Sequence, residues 1–137
     1  MKHTVVLSIA SLLSVLFVTL HLTDDIVRGM EPGTLSNLIV VPILVVWLYG
    51  TLVLAETRSG YAVILIGSLL GVLVPVVHMR GAGVGGQIAH SSGGFFFIWI
   101  LLALGVTALF SVVLSAQALW EHRPWSTAAR QKHGARA

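Results

Sequence analysis

The chain has 137 residues, 56% of them hydrophobic and 9% charged, with a formal net charge of +3. A mean hydropathy of +0.94 excludes an ordinary soluble globule, in which about a quarter of the residues are charged. The absence of cysteine excludes disulfides, thiolate metal sites, iron–sulfur clusters and thiol redox chemistry, and the lack of a folded basic surface excludes a nucleic-acid partner.

Four apolar stretches of membrane length follow one another. The first runs from about Thr4 to Leu22, and a helix of that length is about 28 Å long, enough to cross a hydrocarbon core. Its exit, Thr19-Leu20-His21-Leu22, lacks the small residues a signal peptidase needs, so it reads as a retained helix. Residues 23–37 form a polar loop with a turn at Glu31-Pro32-Gly33, and Ser36 or Asn37 can cap the second span, 38–55. Glu56-Thr57-Arg58-Ser59-Gly60 is a tight turn into the third span, 61–79, which makes the two spans an antiparallel hairpin. A loop from Arg80 to Gly94, with six glycines counting Gly94, leads to the fourth span, 95–120. The predicted fold class is an all-α integral membrane protein with an up-down four-helix bundle over residues 1–122, followed by a basic cytoplasmic tail, 123–137.

Orientation follows from the cations. Lys2, Arg58, Arg123, Arg130, Lys132 and Arg136 lie on one side of these spans, and Arg28 and Arg80 on the other. Six against two places both termini in the cytoplasm and the chain in the cytoplasmic (inner) membrane. Phe95, Phe96, Phe97 and Trp99 at one end, with Tyr61, Trp120 and Trp125 at the other, suit interfacial belts. The tail suits the anionic inner surface of the bilayer.

The chain also carries an internal repeat. Ser11 to His21 aligns without a gap on Ser68 to His78, with six of 11 positions identical, and the wider match of residues 2–22 with 59–79 holds eight identities. A two-helix unit duplicated in this way keeps its orientation, which predicts two pseudo-symmetric hairpins about an axis along the membrane normal. His21 and His78 then stand at equal depth on either side of that axis.

These histidines head the candidate site. His21, Asp24, Asp25, His78 and His90 collect at the outer face, and His21 and Asp25 share a helix side by their i, i+4 spacing. Stepping back in threes and fours, Thr4, Leu7, Ser11, Ser14, Val18, His21 and Asp25 make a stripe suited to facing protein. Gly67-x-x-x-Gly71 permits close helix approach on the third span, and Pro75 is placed to re-aim His78.

Three readings of the cluster stay open. His21 and His78 can be the axial ligands of a b-type haem, with Ser14 and Gly71 making room for the porphyrin and Arg28 and Arg80 meeting its propionates; this resembles the general pattern of b-type cytochrome bundles, without a family signature. Alternatively His21, Asp25, His78 and His90 can bind a divalent metal such as zinc. In the third reading His21 only pairs with Asp25, and Asp24 with Arg28.

Several other signals carry no weight. Gly81-Ala82-Gly83-Val84-Gly85-Gly86 matches a dinucleotide fingerprint but follows a membrane helix, not a strand. Ser91 and Ser92 lack a nucleophile elbow. Trp47, Ser111 and Ser115 read as packing groups. Proton-coupled transport wants an ionisable group at mid-membrane, and the span centres have none. The expected role is that of a non-catalytic subunit or accessory protein, with the bilayer and a membrane-protein partner or a second copy as its partners; the alternative is a small membrane enzyme or transporter using the site on a lipid-soluble or periplasmic substrate.

The orientation is directly testable because no native cysteine interferes. Ser59→Cys is expected to react with an impermeant maleimide from the cytoplasmic side alone, and Thr34→Cys from the opposite side alone. Labelling of both from one side rules out the topology.

Overall fold

The computed structural model describes residues 2–80 and 93–122. It is all-helical: α1 Lys2–Val27, a 3₁₀ turn Leu35–Ile39, α2 Val40–Leu52, α3 Arg58–Arg80 and α4 Gly94–Glu121. By length and composition α1, α3 and α4 can each cross a membrane, whereas α2 is a shorter apolar helix. The glycine-rich loop, His90 and the basic tail lie outside the described residues.

Helix α1 continues five residues past the end expected from polarity, for a local reason. Gly29 adopts φ +69°, its N–H bonds the carbonyl of Ile26 at 3.0 Å, and the Met30 N–H bonds that of Asp25 at 2.9 Å. These are the two bonds of a Schellman cap. The onset of polar residues ends the apolar span, but the helix stops only where a glycine can turn left-handed.

Entry into α2 also differs from expectation. No side chain caps it; the 3₁₀ turn supplies the first turn, and Asn37 Oδ1 is buried without a partner among the described residues. The α2–α3 turn is as expected. Thr57 Oγ1 accepts the Gly60 N–H at 3.0 Å as the N-cap of α3.

Helix α4 packs along α3 and α1, and α2 packs on α3 and more lightly on α1. Small residues set these contacts. Gly105 lies against the Pro75 ring, and Gly67 and Gly71 form a notch that receives the Trp47 indole. Trp47 is buried and donates from Nε1 to Ser11 Oγ at 2.9 Å. Ser11 Oγ lies 2.8 Å from Thr51 Oγ1, which itself donates to the Trp47 carbonyl at 2.9 Å. One indole thus joins α1, α2 and α3, and its polar edge is satisfied inside an apolar bundle, where an unpaired donor is costly.

The predicted stripe on α1 faces inward, with Leu7, Ser11, Ser14, His21 and Asp25 all buried. Two members of the expected aromatic belts are turned inward. Tyr61 is buried against Leu7, Ile64 and Ala118 and stacks on His122; Phe97 is buried with Leu101. Phe95, Trp99 and Trp120 are exposed as expected.

The notch yields a stability test. A side chain at Gly67 meets the indole, so Gly67→Val is expected to cost about 1–3 kcal/mol, the usual range for overpacking. Equilibrium denaturation in detergent measures it, and an unchanged transition would show that Trp47 does not occupy the notch.

Candidate metal centre

Two helices bring the site together. On α1 the Schellman cap keeps the last turns helical, so Asp25 stands one turn above His21, with its Oδ2 3.4 Å from His21 Nε2. On α3, His78 Nδ1 lies 2.8 Å from the carbonyl of Val74. A carbonyl only accepts, so this nitrogen carries the proton, and Nε2 is the atom turned to the cluster. It lies 3.7 Å from the same Asp25 Oδ2. One carboxylate oxygen therefore stands between two imidazole nitrogens from different helices.

The surroundings are tight on one side and open on the other. The two imidazoles meet edge to face with ring centroids 4.6 Å apart. The Phe97 ring of α4 lies 5.5 Å from His21 and 5.7 Å from His78 and closes that side. His21 and Asp25 are each 6% exposed, yet His21 Nδ1 and Asp25 Oδ1 have no hydrogen-bond partner among the described residues. Away from Phe97 the cluster lines a cleft of about 280 Å³ between α1, α2 and α3, bounded by Glu31, Ile43, Leu44, Trp47, Leu70 and Val74 among others.

One donor atom from each of His21, Asp25 and His78 lies within 4.8 Å of the other two. Two imidazoles and a carboxylate suit zinc or another first-row divalent ion. The Nδ1–H bond to Val74 is the kind of outer contact that fixes a ligating histidine.

The residues expected to serve a haem are engaged elsewhere. Ser14 donates its hydroxyl to the Ala10 carbonyl at 2.8 Å, and the face of Gly71 is filled by Ala108 and Trp47, 3.1 and 3.2 Å from where a Cβ would stand. Axial imidazoles occupy opposite faces of a porphyrin, and rings in edge contact leave no space for the macrocycle. Arg28 bonds Asp24 Oδ2 through Nε at 2.7 Å and the Gly93 carbonyl through Nη2 at 3.1 Å, which fastens the end of α1 to the start of α4. The Asp24 hydrogen bond also raises the Arg28 pKa above its usual value, so the guanidinium stays charged. His90 and the side chain of Arg80 lie outside the described residues.

Two groups that build the site were not singled out for it from sequence. Phe97 was detectable, since steps of four and three back from Ser115 pass through Ser111, Ala108, Leu104 and Leu101 to Phe97, all of them buried. Trp47 had no such signal, because its neighbours come from three helices. No protein-family model, characterised protein or solved structure matches the chain.

If Asp25 joins α1 to α3 through His78, Asp25→Ala and His78→Ala are expected to be non-additive in stability, with a coupling of about 0.5–3 kcal/mol. A double-mutant cycle measures this term, and additive losses would mean that the two side chains do not interact.

Proposed function

We propose that this chain is a four-span membrane protein that holds one divalent transition-metal ion at His21, Asp25 and His78 near its outer surface, and that it works through this centre as a non-catalytic subunit or accessory protein. The observation that carries the reading is the position of Asp25 Oδ2, 3.4 Å from one Nε2 and 3.7 Å from the other. A shared proton would draw such groups to about 2.7–2.9 Å. Two ligands held at about 2.1 Å in a tetrahedral site lie about 3.4 Å apart, the His21–Asp25 spacing, and the three donor atoms all lie within 4.8 Å of one another. The Val74 contact at Nδ1 leaves His78 Nε2 turned towards Asp25, where it can ligate a cation.

Three protein ligands leave a fourth position open towards the cleft, the pattern of a centre that binds a further ligand. His90 is the sequence candidate for closing that position. The haem reading is less well supported, because the imidazoles touch and the space beside Ser14 and Gly71 is taken.

Four spans are supported by length. The 3₁₀ turn, at about 2.0 Å per residue, and α2, at about 1.5 Å per residue, together extend about 30 Å, the thickness of a hydrocarbon core. The duplication is supported by the meeting of His21 and His78 and by the burial of both Ser11 and Ser68, which are partners in the repeat. The bias of Lys and Arg supports cytoplasmic termini in the inner membrane.

The test is metal content and its spectrum. Purified protein dialysed against zinc or cobalt(II) is expected to retain one ion per chain, with the intense visible bands of tetrahedral cobalt(II). His21→Ala, Asp25→Ala or His78→Ala should each weaken binding more than about 100-fold, beyond the range usual for outer-shell partners. Retention by His90→Ala would mean an open fourth position, and loss a closed one. Wild-type protein that retains no ion, or triad variants that bind as well as wild type, would exclude the centre.

A further inference from the structure

The loop that follows α1 brings a second carboxylate to the centre. Gly29 turns the chain left-handed, and the Met30 and Glu31 N–H groups both bond the Asp25 carbonyl, at 2.9 and 3.3 Å. The chain is thereby folded back over the last turn of α1. Gly33, also left-handed at φ +59°, keeps the return close, since a Cβ there would stand 2.9 Å from Ile26 Cγ2. Glu31 lies within this return and lines the same cleft as His21, Asp25 and His78. Its side chain is exposed, and no hydrogen bond or ion pair joins its carboxylate to another described residue. Asp24, by contrast, is committed to Arg28.

Charge decides which kind of group the centre lacks. A divalent ion with two neutral imidazoles and one carboxylate keeps one positive charge in excess. The cleft around it is walled by apolar side chains, among them Val18, Leu22, Val40 and Leu44, and an unbalanced charge is costly in such surroundings. A second carboxylate cancels the excess, whereas a neutral histidine or water in the fourth position leaves it. Carboxylate oxygen is also an ordinary ligand for zinc and its first-row neighbours. Glu31 is not among the three groups whose donor atoms already lie within 4.8 Å of one another, so ligation requires its side chain to turn inward. For a long, exposed side chain this is a change between staggered rotamers.

We propose that Glu31 is the fourth ligand of the centre, turning in from the loop to neutralise the ion held by His21, Asp25 and His78. This rests on the metal reading above. The fourth position is then open to the cleft only when Glu31 swings out.

Imidazole tests this in the cobalt(II)-loaded full chain, because a neutral probe is not barred by the charge of Glu31. A tethered carboxylate competes at an effective concentration of roughly millimolar order, so imidazole is expected to shift the visible bands of the wild type only at a concentration at least about tenfold above that needed in Glu31→Ala. Glu31→His, which replaces one ligand by another, should hold cobalt with displaced bands and resist imidazole as the wild type does. Equal imidazole concentrations in wild type and Glu31→Ala would overturn the proposal, as would a fall in that concentration in His90→Ala instead. Loss of all cobalt from Glu31→Ala supports ligation if Glu31→His restores it and overturns the proposal if it does not. In each of these cases the wild type still holds its ion and the metal reading stands; wild-type protein that takes up no cobalt would overturn both. Helical circular dichroism checks that the variants fold.

Discussion

Asp25 Oδ2 is the point on which the outer half of the molecule converges. It faces one imidazole from its own helix and one from α3, and those rings in turn rest on Phe97 of α4. Three helices are thereby committed to one small volume. The commitment depends on α1 staying helical beyond its apolar stretch, since a chain that left the helix at Leu22 would carry Asp25 into a loop. The Gly29 cap and the Arg28 link to the carbonyl of Gly93 are what hold that last turn in place. A buried carboxylate is unfavourable unless it is paired or ligated, so the geometry of this turn and the chemistry of the site are one problem.

Much of the helical architecture was legible because long apolar helices declare themselves by length and hydropathy, and because inward faces recur every three or four residues. The α1 stripe from Leu7 to Asp25 and the turn at Thr57–Gly60 follow from such local rules. The alignment of residues 11–21 on 68–78 pointed to His21 and His78 together, and the two rings are in edge contact. What sequence misjudged was of two kinds. Polarity was taken to end α1, whereas a helix ends where its carbonyls find other donors, and Gly29 is where they do. Space was expected beside Ser14 and Gly71, but the volume around a small residue belongs to its neighbours. Trp47, 24 residues from Gly71 along the chain, fills the space beside that glycine, and no spacing rule reports a contact of that kind.

The core is more polar than a bundle of Leu and Val requires. Ser11, Ser14, Thr51, Ser68, Ser111 and Ser115 are all essentially inaccessible. Small hydroxyl residues let helices approach closely without a cavity and return their protons to carbonyls within the helix, as Ser14 and Ser115 do. Ser68 Oγ and Ser111 Oγ are the members with no partner among the described residues. Hydroxyls contribute modestly here, and shape contributes more: the helix seams are set by where glycine and serine allow a proline or an indole to sit.

The Trp47 indole serves two purposes at once. Its nitrogen is tied to Ser11 and its ring is lodged against Gly67 and Gly71, and the same ring forms a wall of the cleft. Divergent copies of this chain therefore have unequal freedom around the cleft. A change at position 47 must be matched by changes on two other helices, whereas Ile43 and Leu70 can vary in size with the backbone left as it is.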